Sequence, residues 1–283
     1  MQSLLQTVPP GPIPNTPLPP DSRDRPDDSP ALPASQARSF RSLLGGLAWV
    51  AQDTRPDLVE ACNELSRSVA CLTERSLSYL HGAVHYAAAT KHRTLYIRRD
   101  DTPKRSEPLD VTGWGDAALG TAGCAHPHPH TGWLIAIRNS LIHWRSFRQP
   151  RIARSSARAE LYALHDLVDF MEFVLPCLWV VWGEEVSDTV HTDAQDVLHL
   201  VAADHPHPRE WSVTKVIESL QEKLLERSLS TLVIQSLALR DALDVCCICL
   251  YHISTDLNRA DPLTKNMAPT FLLPFFSQHI PDE

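Results

Sequence analysis

The chain has no apolar run that approaches the roughly 18 residues needed to span a membrane. The nearest stretch, residues 173–182, contains Pro176 and follows Glu172. The first residues, MQSLLQTVPPGP, have neither a basic segment nor an apolar one, so they do not form a secretory signal. The 7 cysteines are odd in number and follow no disulfide framework spacing. We therefore expect an intracellular protein, cytoplasmic or nuclear, that is neither secreted nor placed in a membrane.

Negative charge is missing from one long stretch of an otherwise acidic chain. The formal net charge is −8, yet no Asp or Glu lies between Asp116 and Glu160. Arginines stand in that stretch at positions 138, 145, 148, 151, 154 and 158. A basic segment between isolated acids suits a site that binds phosphates and holds cations. A solvated cationic loop explains the charge pattern equally well.

The first part of the chain divides into a proline-rich arm and a helical segment. Ten of the 23 prolines fall within the first 33 residues, and proline removes backbone donors, so we expect a disordered linker over residues 1–37. Apolar residues then recur three and four apart over residues 40–90, which predicts two or three helices within a segment at 38–97. A new helix should follow Arg55-Pro56, with Asp53 or Thr54 as its cap.

Alternating and continuous apolar runs replace the helical pattern after residue 93. We predict strands and helices in one mixed α/β domain at 108–270, followed by a C-terminal tail at 271–283. The predicted strands are 109–114, 133–138, 141–144, 188–192 and a buried one at 246–252, with a further candidate at 151–155. The predicted helices are 159–173 and 210–227.

Four acids stand at the ends of these strands and at the start of the main helix. Asp116 follows the first strand, Glu160 opens the helix, Asp193 ends the fourth strand and Asp261 follows the last one. Such acids can converge on one edge of a sheet, where their mutual repulsion normally requires a divalent cation. Each acid taken alone is also explained as a helix cap or a surface charge.

Five segments in a fixed order carry a family resemblance. Residues 40–58 (FRSLLGGLAWVAQDTRPDL) match Y-R-S-L-x-G-S-L-x-Y-L-A-x-x-T-R-P-D without a gap. Residues 144–164 (WRSFRQPRIARSSARAELYAL) match W-x-S-x-x-Q-x-x-x-x-x-S-S-x-x-A-E-Y-x-A-L. The other three are GWGDAALG (113–120), HTDAQDVL (191–198) and YHISTDLNRADPLTK (251–265). Together they resemble the end of a copia-type retrotransposon polyprotein, the last part of its reverse transcriptase followed by its ribonuclease H domain.

The resemblance implies a fold and a metal-dependent reaction. It implies a ribonuclease H-like mixed five-stranded sheet flanked by helices, behind a thumb-like helical segment. It also implies that Asp116, Glu160, Asp193 and Asp261 are catalytic residues that hold two Mg²⁺ ions, with Mn²⁺ as an alternative. By this analogy Asp116 bridges both ions, Asp261 completes the water-activating site, and Glu160 and Asp193 hold the second ion. His252 resembles a mobile histidine that assists protonation or product release, although a structural strand-end role is an equal alternative.

The implied substrate is an RNA–DNA hybrid, cleaved in its RNA strand. Its phosphates would meet a set of arginines: Arg145, Arg148, Arg151 and Arg154. Gln149, Ser155 and Ser156 have donors and acceptors suited to the 2′-hydroxyls of RNA, while Ser156 is also a candidate cap for the following helix. The remainder of a retroelement polyprotein, with polymerase palm and fingers and an integrase, is the implied protein partner.

Several departures from the family pattern keep a second interpretation open. Ala118 stands where the family has a further acid, and the region near 228–245 is an insertion. The loop His126-Pro-His128-Pro-His130 is weak as a zinc site because no cysteine or acid completes a ligand set nearby. The polymerase motif Tyr-x-Asp-Asp is absent from the sequence, so the chain should not synthesise DNA by itself. The alternative is a catalytically inactive remnant that keeps the fold and nucleic-acid binding; an integrase or transposase would need a different order of acids.

Overall fold

The computed structural model describes residues 8–22, 27–97, 108–119, 128–138, 140–182, 186–202 and 226–276, the last of these as backbone alone up to 233. Residues 210–225 of the helix predicted at 210–227 therefore lie outside the described residues. His126 also lies outside them. No helix in the described ranges combines the length and the apolar character that crossing a membrane requires.

Three helices precede the sheet, as the apolar periodicity predicts. They are α1 (Ala34–Asp53), α2 (Val59–Arg67) and α3 (Glu74–Ala89). The break between α1 and α2 falls at Arg55, whose backbone is non-helical (φ −131°, ψ 74°) because the α conformation is disfavoured before proline. The predicted caps are wrong: Asp53 is the last residue of α1, the Thr54 hydroxyl donates back to a carbonyl of α1, and the 3₁₀ turn Pro56–Leu58 leads into α2.

A buried ion pair closes the helical segment on itself. The Arg55 guanidinium donates to both carboxylate oxygens of Asp57, at 2.8 and 2.7 Å, and to the carbonyl of Thr90 at 3.1 Å. The Tyr86 hydroxyl donates to the same carboxylate at 3.0 Å. Because a two-point arginine–carboxylate pair fixes orientation as well as distance, the turn before α2 is held against the end of α3.

A five-stranded mixed sheet follows the helices. Its strands are β1 (Leu109–Ala118), β2 (His130–Ile137), β3 (Ser140–Arg148), β4 (Val186–Thr192) and β5 (Cys249–His252). The spatial order is β3-β2-β1-β4-β5, with β2 antiparallel to β1 and β3, and with β4 parallel to both β1 and β5. The predicted ribonuclease H-like sheet is confirmed. Because β1, β3, β4 and β5 run in one direction, their C-terminal ends meet at the same edge, here called the carboxyl edge.

One face of the sheet is covered by three helices that alternate with its later strands in the sequence. These are α4 (Ser156–Trp182), α5 (Gln195–Ala202) and α6 (Glu226–Val245). The predicted stripe of α4, including Leu161, Leu164 and Met171, is fully buried against β1 and β2. Helix α6 occupies the region that departs from the family pattern and packs on α4 and α5. The region predicted to be an insertion near 228–245 therefore adds to this layer.

The helical segment covers the opposite face of the sheet. Buried residues of α1 to α3 form one apolar cluster with Trp114, Leu134 and Trp144 of the sheet. The Trp144 indole donates to the carbonyl of Ala51 at 3.1 Å, which joins β3 to α1. The helical segment and the sheet thus share a continuous core.

Both ends of the described chain contribute to this core. Residues 8–22 contain neither helix nor strand, in keeping with their prolines, but Leu18 is buried among the helices. At the other end, the 3₁₀ helix Thr270–Phe275 places Leu272 and Phe275 in the same cluster. The segment predicted as a tail from residue 271 is therefore packed as far as residue 276.

Two strand predictions need correction. Residues 151–155 form a loop and not a strand. The strand predicted as buried at 246–252 is shorter, because β5 begins at Cys249, and three of its four residues are exposed. Its position at the edge of the sheet explains this exposure, whereas Cys246 and Ile248, just before it, are buried as predicted.

Candidate metal centre and nucleic-acid interface

Three of the four predicted acids lie together at the carboxyl edge. Asp116 is near the end of β1 and Asp193 directly follows β4. The parallel pairing of β1 with β4 places the two aspartates at the same height along the sheet. Helix α4 starts beyond the end of β3 and carries Glu160 to the same edge. One carboxylate oxygen from each acid lies within 4.8 Å of the other two.

The position of Glu160 depends on how closely α4 packs on β1. A Cβ atom at Gly115 would lie 3.0 Å from Leu164 Cδ2, and one at Gly113 would lie 3.1 Å from the sulfur of Met171. Both distances are shorter than normal side-chain contacts, so glycine at these positions permits the approach. The close packing brings the first turns of α4 over β1 and sets Glu160 beside Asp116.

Asp261 adjoins this group from the loop after β5. It opens the 3₁₀ turn Asp261–Leu263, close enough for its charge to act on Asp116 and for the charge of Asp193 to act on it. The Lys265 ammonium lies 3.1 Å from Asp261 Oδ1 and 3.7 Å from Asp116 Oδ2. Thr264 Oγ1 donates to Asp116 Oδ2. The fourth acid is thus connected to Asp116 through Lys265 and Thr264.

A buried asparagine attaches the same loop to the strands. Asn258 has no exposed surface, and its side-chain amide donates to the carbonyl of Gly115 at 3.1 Å and to Asp193 Oδ1 at 3.2 Å. Its own Oδ1 accepts from the backbone N–H of Ala260. Asn258 therefore orients Asp193 and fixes the start of the turn that carries Asp261.

Burial and mutual repulsion change the protonation of these acids. Burial, with the negative charges of Asp116 and Asp193, raises the pKa of Glu160 to about 9. Burial raises the pKa of Asp116 to about 6 despite the opposing charge of Lys265, and burial also raises the pKa of Asp261. Although burial lowers the pKa of Lys265, the carboxylates of Asp116 and Asp261 raise it by more. Without a cation, part of this cluster is protonated at neutral pH.

The cluster fits a divalent cation of the magnesium type. All of its donors are carboxylate oxygens, which such hard cations prefer. Oε2 of Glu160 is buried and has no hydrogen-bond partner within the described part of the chain. A buried acceptor without a donor is costly unless a ligand satisfies it. The residues present therefore suit Mg²⁺ or Mn²⁺.

Among curated proteins, the chain is similar to the retrovirus-related Pol polyprotein from transposon RE1 of Arabidopsis thaliana. The two are 25% identical over 242 residues, and the alignment covers 84% of this chain and 14% of that protein. The corresponding polyprotein from transposon RE2 of the same plant is 25% identical over 232 residues, covering 81% of this chain and 14% of the relative. The chain is homologous to retrotransposon Pol polyproteins. It spans about a seventh of the length of these relatives. No family model matches the chain.

Among solved structures, the N-terminal ribonuclease H domain of a Mycobacterium tuberculosis protein, solved as a fusion with maltose-binding protein, superposes with a TM-score of 0.35. It is 16% identical, and the superposition covers 57% of this chain and 94% of that chain. The superposition is partial, and the fold assignment rests on the strand order and directions of the sheet itself.

The four arginines predicted to contact phosphates are exposed at or near the carboxyl edge. Arg145 and Arg148 lie at the end of β3, and Arg151 and Arg154 lie in the loop that leads to α4 and Glu160. Arg145 also stacks on the Phe147 ring at 4.8 Å. These exposed arginines thus lie on the stretch of chain that leads directly to Glu160.

The predicted contacts to 2′-hydroxyls divide into exposed and buried residues. Ser155 and Ser156 are exposed, and the helix cap is Ser155, whose hydroxyl accepts from the N–H of Arg158, so the capping role considered for Ser156 is wrong. Gln149 is 1% exposed, and its amide donates to Thr131 Oγ1 at 2.9 Å and to the carbonyl of Ala159 at 2.8 Å. Gln149 therefore joins β2 to the start of α4 and has no surface for a nucleic acid.

The predicted histidines lie in two different environments. His252 is exposed at the end of β5, paired with Thr192, which precedes Asp193. His130 belongs to β2 and is buried, with Nε2 2.6 Å from Glu60 Oε2. Among the described residues, neither His128 nor His130 joins a group of potential metal ligands.

Sequence reasoning missed Thr264, Lys265 and Asn258. The end of the last matched segment, ADPLTK (260–265), contains the first two, so their presence was visible while their contacts with Asp116 were not. No pattern singled out Asn258, because an asparagine three residues before an aspartate is unremarkable without the strands that surround it.

Proposed function

We propose that this chain is the ribonuclease H module of a retroelement and hydrolyses the RNA strand of RNA–DNA hybrids. The observation that best supports the proposal is the convergence of Asp116, Glu160 and Asp193, with one oxygen from each within 4.8 Å of the others. Exposed arginines adjoin this cluster, so groups that hold a cation and groups that hold phosphates face the same edge of the sheet.

We assign the four acids to the binding of two Mg²⁺ ions, with Mn²⁺ as an alternative. When bound, such ions make a coordinated water more acidic and offset the charge that develops on the leaving oxygen. The chain supplies the geometry: Asn258 orients Asp193, and Thr264 orients Asp116. Glu160 contributes a buried oxygen that accepts no hydrogen bond from the described residues.

The hybrid duplex would lie across the end of β3 and the loop that follows it. Arg145, Arg148, Arg151 and Arg154 would bind phosphates, contacts that position a duplex without reading its sequence. Ser155 and Ser156 would meet the 2′-hydroxyls, the groups by which a protein distinguishes RNA from DNA. Gln149 is left out of this interface because its side chain is buried.

His252 is proposed as a proton-transfer group at the same edge. It is exposed at the end of β5, and its strand partner Thr192 is the neighbour of Asp193. An imidazole at this edge can donate or accept a proton during turnover.

Incubation of the purified chain with a labelled RNA–DNA hybrid and Mg²⁺ tests the proposed reaction. We expect cleavage of the RNA strand by the wild type, and its loss in Asp116→Asn, which removes a carboxylate from the centre of the cluster. Asp110→Asn is the matched control, because Asp110 is exposed near the other end of the same strand. Cleavage that persists at the wild-type rate in Asp116→Asn would exclude the proposed site.

A second candidate function is nucleic-acid binding without catalysis, as in an inactive retrotransposon remnant. The position of Lys265 favours it, because an ammonium between Asp116 and Asp261 can stabilise these carboxylates without a metal ion. Ala118, in place of a family acid, points in the same direction. A folded chain that binds the hybrid but cleaves it in neither Mg²⁺ nor Mn²⁺ would support this function over the first.

The remaining assignments follow from the homology to Pol polyproteins. We propose that residues 38–97 correspond to the thumb of a reverse transcriptase and 108–270 to its ribonuclease H domain, with an arm before them and a short tail after 270. The rest of a polyprotein, including polymerase palm and fingers and an integrase, is the proposed partner. An intracellular site of action, cytoplasmic or nuclear, suits this role. Detection of the mature product in fractionated cells would test the location.

A further inference from the structure

The turn that carries Asp261 rests on a row of three strand residues. Asp116, Gly132 and Ser146 are paired across β1, β2 and β3 and face the side of the sheet that the helical segment covers. Thr264 donates to Asp116 at one end of the row, and the Ser146 hydroxyl donates to the carbonyl of Leu263 at the other. The turn therefore spans three strands.

Gly132, in the middle of the row, allows the turn to approach the sheet. A Cβ atom at this position would lie 2.7 Å from Leu263 Cβ and 2.7 Å from Thr264 Cγ2. Real side chains essentially never come so close, so any larger residue would displace the turn. The location of Asp261 thus depends on contact with β2 as well as on its own loop.

A buried polar network joins this row to α2 of the helical segment. Glu60 Oε2 lies 3.1 Å from Ser146 Oγ and 2.6 Å from His130 Nε2, and Asn63 donates to the carbonyl of Ser146 at 2.6 Å. Arg67 Nη2 lies 2.6 Å from His130 Nδ1. All of these groups lie between α2 and the sheet.

The chemistry of these groups determines the direction of the hydrogen bonds. A guanidinium can only donate, so His130 Nδ1 accepts from Arg67, and the imidazole proton is on Nε2. His130 Nε2 then donates to the carboxylate of Glu60. The same Nε2 lies 2.8 Å from Ser146 Oγ. The Ser146 hydroxyl donates to the carbonyl of Leu263, its shorter contact, and has Glu60 Oε2 as a second acceptor at 3.1 Å.

From this network we infer that Ser146 and Glu60 are positioning residues for Asp261. The inference deepens the proposed function and rests on it: the helical segment, through α2, holds the fourth acid in place beside the other three. Substitution of residues that hold metal ligands in place, without binding the metal themselves, commonly lowers metal affinity by about tenfold or more. The helical segment would then be part of the metal centre's support.

Mn²⁺ binding to the full chain, measured by titration calorimetry without nucleic acid, tests the inference. Ser146→Ala should weaken Mn²⁺ binding by about tenfold. Ser140→Ala is the matched control, since Ser140 is similarly buried at the opposite end of β3, and it should bind as the wild type does. In the Asp261→Asn background, Ser146→Ala should not weaken Mn²⁺ binding any further. The position of residue 261 no longer matters for binding once its carboxylate is gone.

The outcomes separate this inference from the proposed function. Unchanged Mn²⁺ affinity in Ser146→Ala, or an equal loss in the Asp261→Asn background, would overturn the positioning role. If Ser146→Ala does not fold, Gly132→Ala, which displaces the turn directly, replaces it with the same expectations. The proposed reaction alone would be overturned if the wild type binds Mn²⁺, and Ser146→Ala weakens that binding only when Asp261 is present, but the wild type does not cleave the hybrid. A wild type that binds no Mn²⁺ would overturn both.

Discussion

The ammonium nitrogen of Lys265 lies 3.1 Å from Oδ1 of Asp261. A second carboxylate, that of Asp116, lies 3.7 Å away, so the lysine occupies a place between two acids that are proposed to hold a cation. Its side chain is 42% exposed, which leaves it room to move into solvent. A fixed positive charge at this position competes with a divalent ion for the same negative field.

Replacement of Lys265 should therefore tighten metal binding. We expect Lys265→Met to bind Mn²⁺ about tenfold more tightly than the wild type, equivalent to roughly 1.4 kcal/mol. Lys265→Arg keeps the charge and should show little change. Titration calorimetry at alkaline pH, where the carboxylates are ionised, measures both variants. Weaker binding in Lys265→Met would mean that the lysine helps to hold the carboxylates in place.

The metal-free protein should lose stability as the pH rises. Glu160 has its pKa raised from an ordinary value of 4.5 to about 9. An acid with a raised pKa holds its proton more tightly in the folded state, so its contribution is fully present below the ordinary pKa and is lost as the pH approaches the folded-state value. Thermal unfolding in a chelator should thus show a melting temperature that falls over this range, and Mg²⁺ should restore it.

Glu160→Gln isolates the part of this pH dependence that comes from the site. The variant should flatten the decline and should be more stable than the wild type at alkaline pH without metal, by at least about 1 kcal/mol or about 2–4 °C in melting temperature. Glu172→Gln, on the same helix but away from the cluster, controls for the loss of one charge. A decline of the same slope in both variants would argue against a protonated Glu160.

Arg148→Ala should weaken hybrid binding and reduce its dependence on salt. Removal of one phosphate contact lowers the slope of log affinity against log salt by about one unit. Fluorescence anisotropy with a labelled hybrid at several salt concentrations measures the slope. Arg38→Ala is the control, because Arg38 is equally exposed but belongs to α1. An unchanged slope in Arg148→Ala would remove this residue from the interface.

Gln149→Ala should lower the stability of the fold without changing the salt dependence of hybrid binding. The Gln149 amide joins Thr131 to the first turn of α4, so its loss leaves buried groups without a partner and should destabilise the fold by about 1–3 kcal/mol. The salt dependence of hybrid binding should stay at the wild-type slope. Urea unfolding and the same anisotropy titration test the two expectations. A reduced slope with unchanged stability would return Gln149 to the nucleic-acid interface.

Local patterns in the sequence were sufficient to predict most of the helices and strands. The spacing of Leu161, Leu164 and Met171 predicts α4 because a helix brings residues three and four apart onto one face. The apolar runs at 133–138 and 141–144, separated by a short turn, predict β2 and β3. Element ends were less accurate, as for β1 and α4, since those ends depend on neighbouring strands and on the packing beneath them.

The environment of individual polar residues was less predictable. Gln149 and His130 are polar residues near a basic loop; the family resemblance implied that Gln149 contacts RNA, and His130 was considered as a weak zinc ligand. The structure buries both, because β2 and β3 are covered by α4 on one face and by the helical segment on the other. Whether a polar side chain meets solvent depends on elements distant in sequence, and no local pattern contains that information.

The order of strands, helices and acids was determined by the sequence itself, because periodicity and motif spacing are properties of neighbouring residues. Only the tertiary structure decided that Lys265 and Thr264 contact Asp116, that Asn258 orients Asp193, and that α2 supports the turn carrying Asp261. These contacts join residues far apart in the chain. Their distances follow from the packing of both faces of the sheet, which fixes side chains to within a fraction of an ångström only when the whole core is assembled.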